Sequence, residues 1–65
     1  MHVDFERSSL IRAIDYDSTT LTLKVELVSG KVYSYGGVPR SVVVEFANAP
    51  SPGRYWNAEV KGRYS

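Results

Sequence analysis

The residues best equipped for chemistry are Tyr33 and Tyr35, either side of Ser34, and the run Ser51-Pro52-Gly53-Arg54-Tyr55-Trp56-Asn57. Two exposed tyrosines on one strand form a stacking platform, on which each nucleic-acid base contributes about 1–3 kcal/mol. A helix starting at Ser51 offers free backbone N–H groups, a hydroxyl and the Arg54 guanidinium, a set that suits a phosphate or carboxylate. Pro52 removes one of those donors, and a plain helix start capped by Ser51 is the simpler account. Tyr55 and Trp56 point about 100° apart on a helix, so both cannot face a core. Tyr55 is expected at the edge, beside Arg54 and Asn57. Lys61, Arg63 and Tyr64 add a short basic and aromatic tail. Such groups suit RNA, and they suit protein interfaces equally.

Catalysis finds little material. His2 is the lone histidine and sits near an end expected to be mobile, so no serine has a base in reach. Asp15 and Asp17, two apart at a strand end, are turn residues before they are an acid–base pair. Gly36-Gly37 lacks the residues that make a phosphate loop. No cysteine and one histidine leave no plausible structural zinc site. The chain is therefore expected to be no enzyme and to need no metal or cofactor.

What must position these groups is small. Sixty-five residues, 43% hydrophobic, bury only about 60% of the surface the unfolded chain exposes, so one modest core is the ceiling. Residues 1–39 carry four basic against five acidic side chains, and residues 40–65 carry four against two. That tilt is mild, and the isoelectric point of 8.1 falls short of the value above about 9 typical of dedicated nucleic-acid binders. The longest aliphatic run is Val42-Val43-Val44, far too short for a membrane span, and Met1-His2-Val3-Asp4 does not open a signal peptide. A cytoplasmic location is the expectation, with which the lack of cysteine agrees.

Residues 1–7 read as a frayed terminus and 8–64 as one domain. A strand runs from Ser8 to Asp17, where a bulge would reconcile Ile11 with Ile14. After the turn Asp17-Ser18-Thr19-Thr20, Leu21, Leu23, Val25 and Leu27 alternate with polar residues on a second strand. Ser29-Gly30 turns the chain into a third strand, Lys31 to Tyr35. Pro39 suits a first helical position, and Val42, Val43, Phe46, Ala47 and Ala49 then form an apolar stripe that ends at Pro50. Ser51 as N-cap and Pro52 behind it open a second helix, with Trp56 and Val60 inward and Gly62 as its stop. The fold expected is α+β: a three-stranded antiparallel meander with two helices on one face, β-β-β-α-α.

The direction of the tyrosines depends on one turn. A two-residue Ser29-Gly30 hairpin places them on the outer face with Lys24 and Lys31. A three-residue loop, Val28-Ser29-Gly30, sets Val25 opposite Tyr33 and Leu23 opposite Tyr35, on the apolar face. Patterning favours the second, since the first would match Val25 and Leu23 with Ser34 and Gly36. A core this small can hardly spare two large rings.

Several separated motifs together resemble one family. They are Ser8-Ser9-x-Ile11-x-x-Ile14-x-Tyr16-Asp17, Gly30-x-x-Tyr33-x-Tyr35-x-x-Val38-Pro39, and Ala49-x-Ser51-x-Gly53-x-Tyr55-x-Asn57 with Tyr64. The pattern is similar to the KTSC domain, named after the C-terminus of certain lysyl-tRNA synthetases and found also in small bacterial and phage proteins. Asp15 stands where glycine is common in that family, and Trp56 where phenylalanine is common. The resemblance implies RNA binding, with Tyr33 and Tyr35 as the central Tyr-x-Tyr. The residues carry no independent RNA signature, so two other readings stand beside it. One is a protein-interaction or inhibitor module, pairing with itself or a partner through an edge strand or the Tyr55/Trp56 surface. The other is a small anionic-ligand or nucleotide site at Ser51-Gly53.

Overall fold

The computed structural model describes all of residues 1–65. Its strands are β1 (His2–Asp4), β2 (Ile11–Asp17), β3 (Thr22–Leu27) and β4 (Val32–Tyr35). They form one antiparallel sheet in the order β1-β2-β3-β4. Two helical segments follow, α1 (Arg40–Ala47) and α2 (Pro52–Tyr55), and α2 runs directly into a π-turn, Trp56–Val60. The architecture is α+β with both helices against the sheet, but with four strands rather than three.

The added strand comes from residues read as frayed. Val3 lies opposite Ile14 and packs on the core, and the Tyr16 N–H donates to the Met1 carbonyl at 2.7 Å. On the outer face His2 lies opposite Asp15. Its Nδ1 is 2.6 Å from Asp15 Oδ1 and its Nε2 is 2.8 Å from Asp4 Oδ1. Polar composition concealed this strand because its ties are cross-strand and depend on Asp15, eleven residues beyond Asp4.

These carboxylates, Asp15 first and then Asp4, raise the His2 pKa above its ordinary 6.5. A raised folded-state pKa stabilises the fold fully below the unfolded value, and that stabilisation is lost as pH rises through the folded value. His2→Ala is therefore expected to lower the melting temperature slightly between about pH 5 and 6, with the difference from wild type fading on the alkaline side. A difference that is the same at every pH would refute the ion-pair account of β1.

The bulge in β2 is present. Ile11 lies opposite Leu27, Ala13 opposite Glu26 and Ile14 opposite Val25, so Arg12 is one residue more than β3 supplies. Ile11 and Ile14 consequently both reach the core, three residues apart on a strand. They are joined there by Tyr16, Leu23, Val25 and Leu27 from the sheet. The Tyr16 hydroxyl donates to the Val38 carbonyl at 2.7 Å, which satisfies both groups beneath the helices.

Leu21 does not continue β3. It adopts φ +56 in the turn, stays largely exposed, and its carbonyl accepts the Val38 N–H at 3.0 Å. Pro39 is the N-cap of α1 rather than its first residue, and its carbonyl accepts the Val42 N–H at 3.1 Å. Val43 and Phe46 are the residues α1 buries, while Val42 and Ala47 are only partly covered. Phe46 stacks between Phe5, at 5.7 Å, and Tyr55, at 5.2 Å. Trp56 and Val60 are buried from the last helix as expected, and Gly62 leaves it at φ +87, a conformation that favours glycine.

Candidate functional site

The turn after β3 is the longer one. The Leu27 N–H donates to the Lys31 carbonyl, the Gly30 N–H donates to the Leu27 carbonyl, and Gly30 has φ +98. Val25 therefore faces Tyr33 and Leu23 faces Tyr35, the register that sends both rings to the helix side. They do not share one fate. Tyr35 is buried at 8% exposure, whereas Tyr33, at the edge of the sheet, keeps 39%.

Trp56 organises what lies between them. Its indole Nε1 donates to the Tyr35 hydroxyl at 3.0 Å, and its ring lies 5.5 Å from that of Tyr33 at an interplanar angle of 44°. The Lys61 ammonium sits 5.1 Å from the centre of the Trp56 ring, in reach of its π-face. The π-turn is what brings it there, because the Lys61 N–H donates to the Trp56 carbonyl at 2.7 Å. One residue beyond an ordinary helical turn, Lys61 returns over Trp56. In a regular helix a residue five positions on would stand about 140° around the axis. The site is thus a buried indole with a half-exposed phenol ring packed on it and an exposed ammonium near its ring centre.

The other sequence candidates are dispersed. The Ser51 side chain makes no cap; only its carbonyl is engaged, by the Tyr55 N–H at 3.0 Å. Gly53 packs over the Leu10 side chain, where a Cβ would stand 3.4 Å from Leu10 Cδ2 in ordinary van der Waals contact. The Asn57 side-chain amide donates to the Gly53 carbonyl at 3.1 Å. Tyr55 is clamped to α1, its hydroxyl 3.2 Å from both the Val42 carbonyl and Glu45 Oε2. Burial, and then the Glu45 carboxylate, push that phenol up to about 12. Arg54 is exposed beside Tyr55, Ala58 and Glu59 in a shallow groove. Arg63 is also exposed and sits 3.5 Å from Glu59. Glu59 lines the same groove as Ser51 and Arg54, which weakens the anion-site reading of Ser51-Gly53. No cluster of three or more His, Cys, Asp or Glu could hold a metal ion. No helix is long and apolar enough to cross a membrane.

Comparison with known proteins places this arrangement. The KTSC domain family model matches residues 7–64, which take in the bulged β2, the Tyr33/Tyr35 strand and the Trp56 helix. The chain belongs to the KTSC domain family. A lysine–tRNA ligase of Trichormus variabilis is 46% identical over 56 residues, covering 86% of this chain and 10% of the ligase. That of Nostoc punctiforme is 43% identical over the same shares. The chain therefore spans about a tenth of the length of the ligases it matches. A protein of Stutzerimonas stutzeri is 38% identical over 58 residues, 89% of this chain and 82% of that protein. Among solved structures, the KTSC Domain Protein YPO2434 from Yersinia pestis superposes with a TM-score of 0.92 at 29% identity. It covers all of this chain, and 90% of its own chain is matched, β1 included.

Sequence reasoning identified Tyr33, Trp56 and Lys61 separately and missed their meeting. The alternation of β4 was a usable signal for Tyr33. Nothing in residues 56–61 announces a π-turn, since the extra residue lies in hydrogen-bond phase and not in residue type.

Proposed function

We propose that this KTSC domain is a nucleic-acid-binding module that takes single-stranded RNA at the Tyr33–Trp56–Lys61 surface. The observation that carries the reading is the Trp56 ring, which has the accessible Tyr33 ring 5.5 Å from it and the Lys61 ammonium 5.1 Å from its centre, so that a stacking face and a phosphate-pairing group meet on one indole. Tyr33 receives a base, backed by Trp56, and Lys61 meets the adjoining phosphate, with Arg63 close in sequence to meet another. Tyr35 acts through Trp56, as the acceptor that sets the indole. The occurrence of the same segment in proteins named lysine–tRNA ligase supports an RNA target before a DNA one. One platform ring and few cations make the binding weak.

The test is an amide and indole NMR titration of the domain with mixed single-stranded RNA at low and moderate salt. Shifts are expected at Tyr33, Lys61, Arg63 and the Trp56 indole. Affinity should fall by about 0.7 in log K per phosphate contacted for each tenfold rise in salt. Flat spectra at both salts, or shifts confined to Ser51–Arg54, would overturn the assignment of this surface.

A further inference from the structure

We propose that a second copy of this chain pairs antiparallel along β4, with the two-fold axis at Tyr33. The two edges of the sheet differ. β1 is three residues long and carries His2 and Asp4, the charged, short type of edge that resists pairing. β4 has neither proline nor bulge, and Val32 at 58% exposure and Tyr33 at 39% leave apolar surface on both sides of the strand.

The backbone fixes how a partner would sit. The Leu27–Lys31 bond shows that Lys31, Tyr33 and Tyr35 direct their polar groups at β3, so those of Val32, Ser34 and Gly36 face outward. The Gly36 N–H is already taken by the Ser65 carbonyl at 2.9 Å, and the Gly30 N–H turns back to Leu27. Val32 and Ser34 remain. Pairing Val32 with Val32 of the partner would need Gly30 opposite Ser34, and pairing Ser34 with the partner's Ser34 would need Gly36; both are engaged. Val32 against the partner's Ser34 uses all four outward groups and no others.

Charge favours the same register. On the outer face Glu26 is the β3 neighbour of Val32, and Lys24 is that of Ser34. Each row across the pair then runs from Glu26 in one protomer to Lys24 in its partner. The two rejected registers would align Glu26 with Glu26 or Lys24 with Lys24. On the helix face the two Tyr33 residues form a non-hydrogen-bonded pair, with Cα atoms about 4.5 Å apart. Two edges of four residues fall below the ~800 Å² per partner of a standard interface, so the pair is concentration-dependent. It does not require the RNA reading, although it would join the two Tyr33–Trp56–Lys61 surfaces into one.

Sedimentation equilibrium without nucleic acid, over a concentration series, tests the inference. Wild type is expected to rise from the mass of one chain toward two, and its Val32 and Ser34 amides should exchange more slowly as concentration rises. Ser34→Pro removes an N–H that β3 does not use, which an edge strand tolerates, and is expected to stay at one chain. Val32→Lys keeps every backbone group and should need about tenfold higher concentration to associate, should the proline variant fail to fold. A wild type that stays monomeric throughout overturns the pairing. So does a folded Ser34→Pro, or a Val32→Lys, that associates as wild type does.

Discussion

Trp56→Ala is expected to cost about 3–5 kcal/mol, the usual range for truncating a buried aromatic. At about 0.05–0.15 kcal/mol per residue, a domain of this size holds only ~3–10 kcal/mol in total. The variant should therefore be largely unfolded at 37 °C or melt far below wild type. Two losses combine. The ring is 96% buried among core residues of the sheet, and its departure leaves the Tyr35 hydroxyl without its donor. Trp56→Phe separates them. Phenylalanine keeps an aromatic ring in the core and removes the indole N–H with a few buried ring atoms, so a cost of about 1–2 kcal/mol is expected. Urea unfolding of the three proteins checks this. Equal losses for Ala and Phe would mean that the indole hydrogen bond, not burial, carries the effect.

Tyr33→Leu should do the opposite, leaving stability nearly intact and weakening RNA binding. Leucine still covers the Trp56 ring from β4, and Tyr33 already has more than a third of its surface in water. What it loses is the flat π-face, worth ~1–3 kcal/mol per stacked base, or roughly fivefold to over a hundredfold in affinity. Titration by fluorescence anisotropy with a short single-stranded RNA reads this directly. Its salt dependence should be unchanged, because no phosphate contact has been removed. Lys61→Gln should show the reverse pattern, a shallower salt slope with a smaller loss at moderate salt. If Tyr33→Leu binds as wild type does while Lys61→Gln does not, the surface is a phosphate patch without stacking.

Much of this was legible in the chain before any coordinates. The alternation through Leu23, Val25 and Leu27 and the inward Trp56 and Val60 follow from period alone, whereas the turn at Gly30 left two registers open and patterning only favoured the wider one. The bulge was legible too, because Ile11 and Ile14 cannot both be core residues of a regular strand. β1 was not, since three residues with one apolar side chain show no period. Only pairing with Asp15 and Ile14 gives them a place. Likewise Ser51, Gly53 and Tyr55 looked like ligand residues from type and spacing. In the fold Gly53 packs against Leu10, and Tyr55 pins one helix to the other. A tyrosine that can bond a backbone carbonyl and one that can stack a base are the same in sequence.

The extra residue in β2 also bears on how the chain finds its pairing. In an unbulged strand a slip of two positions keeps every side chain on its proper face and costs only the ends, so slipped hairpins survive as traps. Here a two-residue slip of β2 along β3 would carry the surplus Arg12 away from its place between the Ile11–Leu27 and Ala13–Glu26 pairs. It would turn either Ile11 or Ile14 out of the core. Because β2 lies between β1 and β3, the same error would misplace both of its neighbours at once. With each adjacent pair of strands joined by a short stretch of chain, the search is local, and the bulge leaves it a single answer. Refolding with no kinetic phase that arises from slipped strand pairing is the behaviour expected of this strand.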